Sequence, residues 1–564
     1  DPITQQQFIT AGEAKVDPVF LEDVFRNDYY RGTNQAVSSG YGPNLADFGG
    51  MTWTKCTSAT QYWAVRDTVR GANKWMSCSE NHADQTGNGS YQFLTTGQNS
   101  GTDGYNGDNN QDFTSCSFRK AKGFFDIVSY TGTGVARTIN HNLGSVPGAI
   151  VVKRTNGTGN WIFGHREMNG GTNDWQYNMS LNNGNGRDAT DSNWNNTPPT
   201  ASAFSLGTHS DVNADGDTYI AYLWASGVDA QSQIFGREGA ETNIIKCGSY
   251  VGNGSSQTID VGFNPDWFIV KQANTGSYDW AWWDKYGIGG VSKTGYQDGM
   301  RLKLNENTGR AALMRMFMKG GGDTVTKGFH IQSDGWYNVN GNRFIYIAVR
   351  SPDMHVCRDG STGTDGENGV PSQYFTMSQG QSTGTNPNGT FPTNFAPDVH
   401  YFRQYNGTSS TWMGTIDCQT QSDAWVWAMN ANNAGTTGWA TSCYQGSKGM
   451  HVNYSGNYQA WMWKKGPGCT HIWYPGNGVN GRTIYHDLGA VPELMFFKAL
   501  NANDQNPLWH YGLNNGVDAG HYMLATESRG GQFDSRGDWL PSTTGLQADA
   551  TSFKIGPNSP TNSS

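Results

Sequence analysis

Three side chains near residue 211 have the types and spacing of a calcium-binding loop. Asp211, Asn213 and Asp215 occur in the order Asp-x-Asn-x-Asp-Gly, the beginning of a loop whose oxygen atoms converge on a hard cation. The twelfth position, which should supply a bidentate carboxylate, is Tyr222, and a strand is expected to follow the motif at once. The sequence therefore favours a hairpin turn, with a bound Ca²⁺ as the alternative. It indicates no other cofactor.

Other patterns with chemical meaning lack the surroundings that catalysis needs. Ser382 lies in a literal G-x-S-x-G, but its flanks are polar and Gly-rich, whereas a nucleophile elbow follows an apolar strand and precedes a helix. Asp and Glu are spread thinly, so no carboxylate pair for glycoside hydrolysis is evident. His141 and His486 occupy matching turns without repeated partners, which predicts hydrogen bonding to the turn. We predict no catalytic residue and no enzyme.

Tryptophan is the unusual excess, with 21 residues. In Trp280-Ala-Trp282-Trp283, period-two alternation places Trp280 and Trp282 towards a core and Trp283 on the other face. Trp425 and Trp427 likewise share one face. An exposed ring beside Asn and Gly suits sugar stacking or a protein contact, so Trp283, Trp425 and Trp427 are the candidate ligand or interface aromatics. Burial between neighbouring modules or subunits is the favoured alternative.

These residues belong to a pattern that recurs along the chain. An aromatic residue, a Gly-rich turn, a strand, a second turn, a strand ending on a cation and then a Trp follow one another in residues 130–161 and return four times. The cations are Lys55, Lys153, Lys271, Arg403 and Lys498, and the tryptophans are Trp63, Trp161, Trp280, Trp412 and Trp509. Each copy is long enough to bury a core of its own, so the pattern predicts a string of separate modules.

Composition bounds the fold class and the partners. With 75 Gly, 15% charged residues and no long helical periodicity, the chain reads as all-β: a tandem array of about five β-sandwich, jelly-roll-like modules. A marker segment precedes each closing strand, for example Phe204-Ser-Leu-Gly, and its alternation of apolar and polar residues predicts one buried and one wet face. A net charge of -9 without a basic cluster argues against nucleic acid, and no apolar run is long enough for membrane insertion. The eight scattered Cys predict free thiols made in a reducing cytoplasm.

The repeat divides the chain into an arm and five modules. The expected spans are 1–19 for the N-terminal arm, 20–123, 124–227, 242–351 and 372–467 for modules 1 to 4, and 469–564 for module 5. The interval from the marker Phe204 to Tyr219, which opens the closing strand of module 2, equals that from Phe329 to Phe344 in module 3. Counted from the marker Phe553, the same interval reaches position 568. We therefore expect module 5 to lack its closing strand, supplied either by a longer natural chain or by another subunit.

The assembled motifs resemble a known family. The segments FDIVSYTGTG and RTINHNLGSVPGAIVVKR in residues 125–154, YIAYLW in 219–224, DPVFLEDVF in 17–25 and DTVRGANK in 67–74 resemble the repeated lectin-like (LamG or jelly-roll-like) modules of tail-fibre-like virion structural proteins from marine tailed bacteriophages. The match is close in modules 1 and 2, fair in module 5 and limited to the central motif in modules 3 and 4.

The resemblance implies a function in the virion. We expect a structural protein of a surface appendage, synthesised in the host cytoplasm, that attaches to a host surface glycan or to other virion proteins and forms a homo-oligomer. One alternative is a capsid decoration or filament subunit with a purely structural role. The other is a polysaccharide depolymerase.

Overall fold

The computed structural model is built almost entirely of antiparallel strands, which confirms the all-β prediction. It describes residues 19–32, 42–87, 90–102, 104–105, 107–109, 111–227, 235, 243–263, 265–274, 276, 278–284, 299–309, 311–314, 316–318, 328–331, 335–350, 375–382, 391–392, 399–404, 412–416, 426–428, 443–446, 449–452, 456–463, 469–472, 474, 476–486, 488, 490–499, 504–516, 518–525, 532–536, 539–542, 544–558 and 561–562. The five modules correspond to the spans expected from the repeat, whose boundaries remain predictions.

Module 1 consists of a four-stranded sheet with small hairpins at its side. Its elements are α1 (Leu21–Val24), β1 (Phe25–Arg31), α2 (Leu45–Phe48), β2 (Gly50–Cys56), β3 (Ala64–Asp67), β4 (Lys74–Trp75), β5 (Gln85–Thr86), β6 (Gln92–Leu94), β7 (Gly97–Asn99) and β8 (Asp112–Arg119). The order in the main sheet is β1-β8-β2-β3, and β4 pairs with β5 and β6 with β7. The closing strand β8 therefore lies between the opening strand and the strand that carries the repeated cation.

Module 2 repeats this sheet and adds a second layer. Its elements are β9 (Phe125–Thr131), β10 (Arg137–Asn140), β11 (Pro147–Arg154), β12 (Ile162–His165), a 3-10 turn (Asp174–Gln176), β13 (Tyr177–Ser180), β14 (Asp188–Ala189), α3 (Asp191–Trp194), β15 (Ala203–Leu206), α4 (Ser210–Asn213) and β16 (Thr218–Ala225). The main sheet has the order β14-β13-β12-β11-β16-β9, and β10 pairs with β15.

Module 3 has the same topology. Its strands are β17 (Ile245–Val251), β18 (Gln257–Asp260), β19 (Pro265–Gln272), β20 (Ala281–Asp284), β21 (Gly299–Lys303), β22 (Ala311–Met314), β23 (Met316–Met318), β24 (Gly328–Ile331) and β25 (Arg343–Arg350). The six-stranded sheet runs β17-β25-β19-β20-β21-β22, and the second sheet runs β18-β24-β23.

Modules 4 and 5 complete the chain. Module 4 contains β26 (Phe375–Ser382), β27 (Phe391–Pro392), β28 (Val399–Gln404), β29 (Trp412–Ile416), β30 (Val426–Ala428), β31 (Cys443–Gly446), β32 (Gly449–Val452) and β33 (Gly456–Trp463). Module 5 contains β34 (Arg482–Tyr485), β35 (Leu494–Phe496), β36 (Pro507–His510), 3-10 turns at Leu513–Gly516 and Ala519–His521, β37 (Tyr522–Ala525), β38 (Phe533–Asp534) and β39 (Ser552–Ile555). Among the described residues β35 pairs with β36 alone, whereas β11, β19 and β28 each pair with a closing strand as well. A strand beyond Ser564 stays a prediction.

Modules 1 to 3 share a hydrophobic core that joins them, in addition to the core that module 3 buries inside its own sandwich, so they are not packed as separate units. A continuous cluster of buried side chains runs from Leu21 in module 1 through module 2 to Val349 in module 3. Trp53 of module 1 lies 5.1 Å from Trp282 of module 3 and 6.4 Å from Trp224 of module 2, between ring centroids. The main sheets carry large apolar side chains on both faces, and a sandwich of two sheets buries only the inner face of each sheet.

The shared core also explains why the central strands are buried on both faces. The closing strands β16 and β25 are each buried at seven of their eight residues. One face packs inside its own sandwich: in module 3, Phe268 and Trp283 belong to a second, separate cluster. The other face meets the neighbouring modules. Strands covered on both sides carry apolar residues in nearly continuous runs, which alternation alone does not predict.

Module 5 differs from the repeat in one register. Leu494 pairs with His510, as Ala149 pairs with His165 in module 2, so His510 is the structural counterpart of His165. Trp509 consequently occupies the position of Gly164, not that of Trp161, although it is buried as predicted. Gly164 has no side chain because a Cβ there would lie 2.6 Å from the Trp175 ring. In module 5 the Trp509 ring itself supplies core volume at this position.

Among the described residues, the helices are too short and too polar to cross a bilayer. Among the cysteines whose side chains the structure describes, free thiols are found at Cys56, Cys78, Cys116, Cys247 and Cys469.

Candidate functional site

The repeated tryptophans join modules 1, 2 and 3 in a cycle. The Nε1–H of Trp161 in module 2 donates to the carbonyl of Ser77 in module 1, at 2.9 Å. The Trp280 indole of module 3 donates to Ser180 of module 2, at 3.0 Å. The cycle closes where Trp63 of module 1 donates to Lys303 of module 3, at 2.9 Å. Each tryptophan therefore donates its indole hydrogen bond to a different module from its own.

The repeated lysines make a second set of bonds to the same three loops. Lys55 Nζ donates to the Asn307 carbonyl at 2.8 Å, Lys153 to Asn81 at 3.3 Å and Lys271 to Gly184 at 2.7 Å. Each acceptor lies four residues after the carbonyl that the corresponding tryptophan uses. Burial lowers the pKa of all three lysines to about 8. The lysine recurs at this position of the repeat because it forms a hydrogen bond to another module.

A buried ion-pair network strengthens the junction between modules 1 and 2. Arg70 Nε bonds Asp67 Oδ2 at 2.5 Å and Arg70 Nη1 bonds Asp84 Oδ1 at 2.5 Å. The hydroxyl of Tyr222, from the closing strand of module 2, donates to Asp67 Oδ2 at 2.7 Å. Burial raises the pKa of Tyr222 well above its usual value, so the hydroxyl keeps its proton. The DTVRGANK segment supplies Asp67 and Arg70, which gives it a structural explanation.

The calcium-type motif is used in hydrogen bonding inside module 2. The Asn213 amide donates to the carbonyls of Val135 and Gly207, at 2.6 and 2.7 Å, and accepts from the Thr133 N–H. Asp211 accepts from the backbone and side chain of Asn160, at 3.2 and 3.0 Å. Asp215 is exposed. In the part of the chain that the structure describes, no three His, Cys, Asp or Glu side chains gather as a metal site.

The position of Asn213 is repeated, a signal that the sequence contains and that our reading missed. Asn338 in module 3 and Asn562 in module 5 also stand nine residues after the marker Phe. Asn562 donates to the carbonyls of Val479 and Gly556, at 2.8 and 2.9 Å, as Asn213 does with its own pair. The Asn recurs in modules 3 and 5, where the positions equivalent to Asp211 and Asp215 are not acidic. This recurrence indicates that the amide fixes the turn and does not bind a metal.

The predicted binding aromatics are not brought together at a surface. Trp283 is 0% exposed and packs against Phe268 within the sandwich of module 3, with ring centroids 5.1 Å apart. The alternation correctly placed Trp283 opposite Trp282, but the second face is covered by the module's own second sheet, so Trp283 cannot bind a ligand. Trp425 and the side chain of Trp427 lie outside the described residues.

The histidine turns have the predicted structural role. His141 bonds the Thr200 carbonyl through Nε2 at 3.2 Å and accepts the Leu143 N–H at Nδ1. His486 makes the same pair of bonds in module 5, with Asp549 and Leu488. Ser382 ends β26, and its side chain lies outside the described residues.

An exposed aromatic platform occurs instead at the edge of module 3. We call it the module 3 rim site and define it by Tyr278, Asp279, Arg301, Trp336 and Tyr337. The Trp336 side chain is 48% exposed, and the edge-on Tyr278 ring lies 6.1 Å from it, between centroids. The Arg301 guanidinium carbon lies 4.8 Å from the Trp336 ring centroid. A large ring held from behind by a cation is a rigid stacking surface.

The polar members of the module 3 rim site are fixed by a network. Arg301 donates to the Tyr337 hydroxyl at 2.7 Å, and that hydroxyl donates to the Asp279 carbonyl at 3.2 Å. Lys303 Nζ lies 2.8 Å from Asp279 Oδ2 and 2.8 Å from Glu306 Oε1. Burial opposes the charge of Asp279, but the bonds from Lys303 and Asn305 lower its pKa, so it is a carboxylate. The site therefore places the partly exposed groups of Asp279 and Lys303 beside an exposed ring, with Arg301 buried behind that ring.

Module 1 has an aromatic cluster at the equivalent position, which we call the module 1 rim site. Trp336 stands seven residues before β25, and Tyr105 stands seven residues before β8. The Tyr105 ring lies 4.2 Å from Trp75 and 6.0 Å from Tyr62, between centroids, and His82 lies 5.6 Å from Trp75. Tyr62 is 39% exposed. The corresponding residue of module 2 is Asp211, so the rim varies while the sandwich behind it repeats.

Sequence reasoning missed both rim sites because it chose candidate aromatics by alternation within strands, whereas Tyr105 and Trp336 lie in the loops before the closing strands. Residues that differ at one position of a repeat are the better signal for recognition, since the scaffold constrains only the shared positions. Counting back from each closing strand would have placed Tyr105, Asp211 and Trp336 at one structural position.

One family model matches part of the chain. Residues 108–351, from the closing strand of module 1 to the end of module 3, match the sequence model of a family described as a domain of unknown function, DUF7483. The comparison with curated proteins found no match. Among solved structures, the nematode sperm cell motility protein MFP2B is similar at 10% identity over 80% of this chain and 99% of that chain. Its TM-score of 0.11 carries no argument about fold.

Proposed function

We propose that this chain is a non-enzymatic structural protein of a virion surface appendage whose rim sites bind a glycan of the host surface. The observation that carries the glycan part is the module 3 rim site, where the exposed face of Trp336 stands beside the fixed groups of Asp279 and Arg301. Sugar rings stack their C–H faces on aromatic rings and hydrogen-bond their hydroxyls to charged side chains.

The architecture supports a structural rather than a catalytic role. The cyclic Trp and Lys bonds hold modules 1, 2 and 3 together, which suits a projecting part that resists force. Rim loops on such a scaffold can vary without loss of the fold. The virion location rests on the resemblance of the repeat to tail-fibre-like proteins, and it implies synthesis in the host cytoplasm.

Binding to an array of bacterial surface polysaccharides tests the proposal. We expect a subset of glycans to bind the purified chain, and Trp336→Ala to weaken that binding by at least about tenfold, which corresponds to ~1.4 kcal/mol. Tyr511→Ala, which removes an exposed aromatic of module 5 outside the rim sites, is the matched control and should bind as the wild type does.

Three results would contradict the proposal. Binding that survives Trp336→Ala and Tyr62→Ala unchanged would place the glycan elsewhere, and absence of any binding would favour a capsid decoration or filament subunit. Release of reducing sugar from a bound polysaccharide would identify a depolymerase. Immunogold electron microscopy of the encoding virus particle then locates the protein, and absence of label on the particle would remove the virion assignment.

A further inference from the structure

Two apolar side chains of module 5 are exposed on a face that is a core face elsewhere in the chain. In β35, Leu494 is 49% exposed and Phe496 is 42% exposed, whereas the next residue, Phe497, is buried in the core of module 5. Strand residues alternate between faces, so Leu494 and Phe496 point away from that core. The pairing of Leu494 with His510 and of Ala149 with His165 fixes the equivalence between modules 5 and 2.

The equivalent positions in modules 1 to 3 are buried by contacts between modules. Phe496 stands two residues before the repeated cation Lys498, and its counterparts are Trp53, Val151 and Ile269. All three counterparts lie in the shared core. We call this set of outward side chains on the cation-bearing strand the assembly face. In modules 1 to 3, the assembly face of one module is covered by other modules.

Modules 4 and 5 already use this face to meet each other. Tyr401 also stands two residues before the repeated cation, Arg403, and its ring centroid lies 5.9 Å from that of Phe496. The contact joins equivalent positions of two modules, as in the shared core. It nevertheless leaves Leu494 and Phe496 nearly half exposed, because among the described residues two assembly faces meet here and three meet in the shared core.

We propose that the assembly face of modules 4 and 5, centred on Leu494 and Phe496, docks the same face of a second copy of this chain. In the shared core, this face packs against other modules of the repeat, as Trp53 of module 1 does against Trp224 of module 2 and Trp282 of module 3. Modules 1 to 3 of the second copy cannot supply it, since their assembly faces are buried. The exposed assembly-face residues among those described are Leu494 and Phe496 of module 5, and contact between identical faces closes as a two-fold dimer.

Sedimentation of the full-length chain over a range of concentrations tests this inference. We expect a reversible dimer, and Phe496→Asp or Leu494→Asp should raise its dissociation constant by at least about tenfold. Both side chains are nearly half exposed in the monomer, so the new carboxylate stays in water and the fold is retained, as circular dichroism would check. Val251→Asp, at an exposed apolar residue of module 3, is the matched control and should leave the dimer intact.

Amide hydrogen exchange gives an independent measurement. Exchange in β35 should slow as the concentration rises in the wild type and should stay constant in Phe496→Asp. A chain that is monomeric at all concentrations would overturn the inference, as would a dimer that both Asp variants leave unchanged. Neither result bears on glycan binding at the rim sites, so the two proposals fail separately.

Discussion

The ammonium group of Lys55 donates a hydrogen bond to the carbonyl oxygen of Asn307, 252 residues later in the chain, at 2.8 Å. With the equivalent bonds of Lys153 and Lys271, it shows that the first and third modules are neighbours as directly as successive ones are. A chain of modules joined end to end would not bring these residues together. The three modules instead close into a ring, and the expected behaviour of that ring can be tested.

Removing one of the three tryptophans that bond between modules should destabilise the unit formed by modules 1 to 3. Trp161→Ala deletes a fully buried ring and its bond to Ser77, and we expect the free energy of unfolding to fall by about 3 to 5 kcal/mol. Trp161→Phe, which keeps much of the ring but loses the donor, should cost less. The measurement is chemical denaturation followed by circular dichroism. Trp509→Ala is the control, because it should weaken module 5 and leave the unfolding of modules 1 to 3 unchanged.

The buried lysines predict a specific pH dependence. Burial lowers the pKa of Lys271 from 10.5 to about 8 in the folded chain, so between these values the unfolded chain holds a proton that the folded chain has lost. The contribution of this lysine to the free energy of unfolding therefore rises with pH over that window, by up to about 3 kcal/mol. Lys271→Met should flatten the slope between pH 8 and 10.5. Identical slopes for variant and wild type would disprove the prediction.

Acid should loosen the contact between modules 2 and 3 through His165. The ring accepts the Glu167 N–H at Nδ1 and bonds the Tyr346 carbonyl of module 3 at Nε2, and burial lowers its pKa from 6.5 to about 3. Between pH 6.5 and 3 the unfolded chain binds a proton that the folded chain does not, so the free energy of unfolding falls as the pH drops, by up to roughly 5 kcal/mol.

Replacing that histidine should reduce the acid sensitivity. We expect His165→Gln to show a shallower loss of stability than the wild type in thermal unfolding between pH 6.5 and 3. His510→Gln, at the equivalent position of module 5, should keep the acid sensitivity of modules 1 to 3. If both variants lose stability with acid as the wild type does, His165 is not the titrating group.

Breaking the buried ion-pair network should cost more than breaking a surface pair. Asp67→Asn leaves the Arg70 guanidinium in the junction with one carboxylate fewer, and we expect a loss of about 3 to 5 kcal/mol. The exposed pair of Arg536 with Asp534 provides the comparison, and Asp534→Asn should produce no clear change. Equal effects of the two substitutions in urea denaturation would contradict the assignment of Asp67 to a buried network.

The sequence by itself determined the local design of the repeat. Turn residues and β-formers identified the strands, and the recurring cation and Trp identified positions that now prove structurally equivalent in modules 1, 2 and 3. The two histidine turns were predicted with a hydrogen-bonding role because one bond of each ring, to Leu143 or Leu488, lies within the turn itself. Strand-forming residues, turn residues and bonds within a turn depend on neighbours in the chain, so spacing along the chain records them directly.

Only the tertiary structure decided what covers each face. Alternation placed Trp282 and Trp283 on opposite sides of a strand. It could not show whether solvent, a second sheet or a neighbouring module covers each side, because the same sequence pattern is compatible with all three. Only the pairing of β35 with β36 shows that Trp509 is not the structural counterpart of Trp161. The shared core joins residues hundreds of positions apart, such as Trp53 and Trp282, and each rim site joins separate loops of one module. Their geometry exists only once the sheets have packed together.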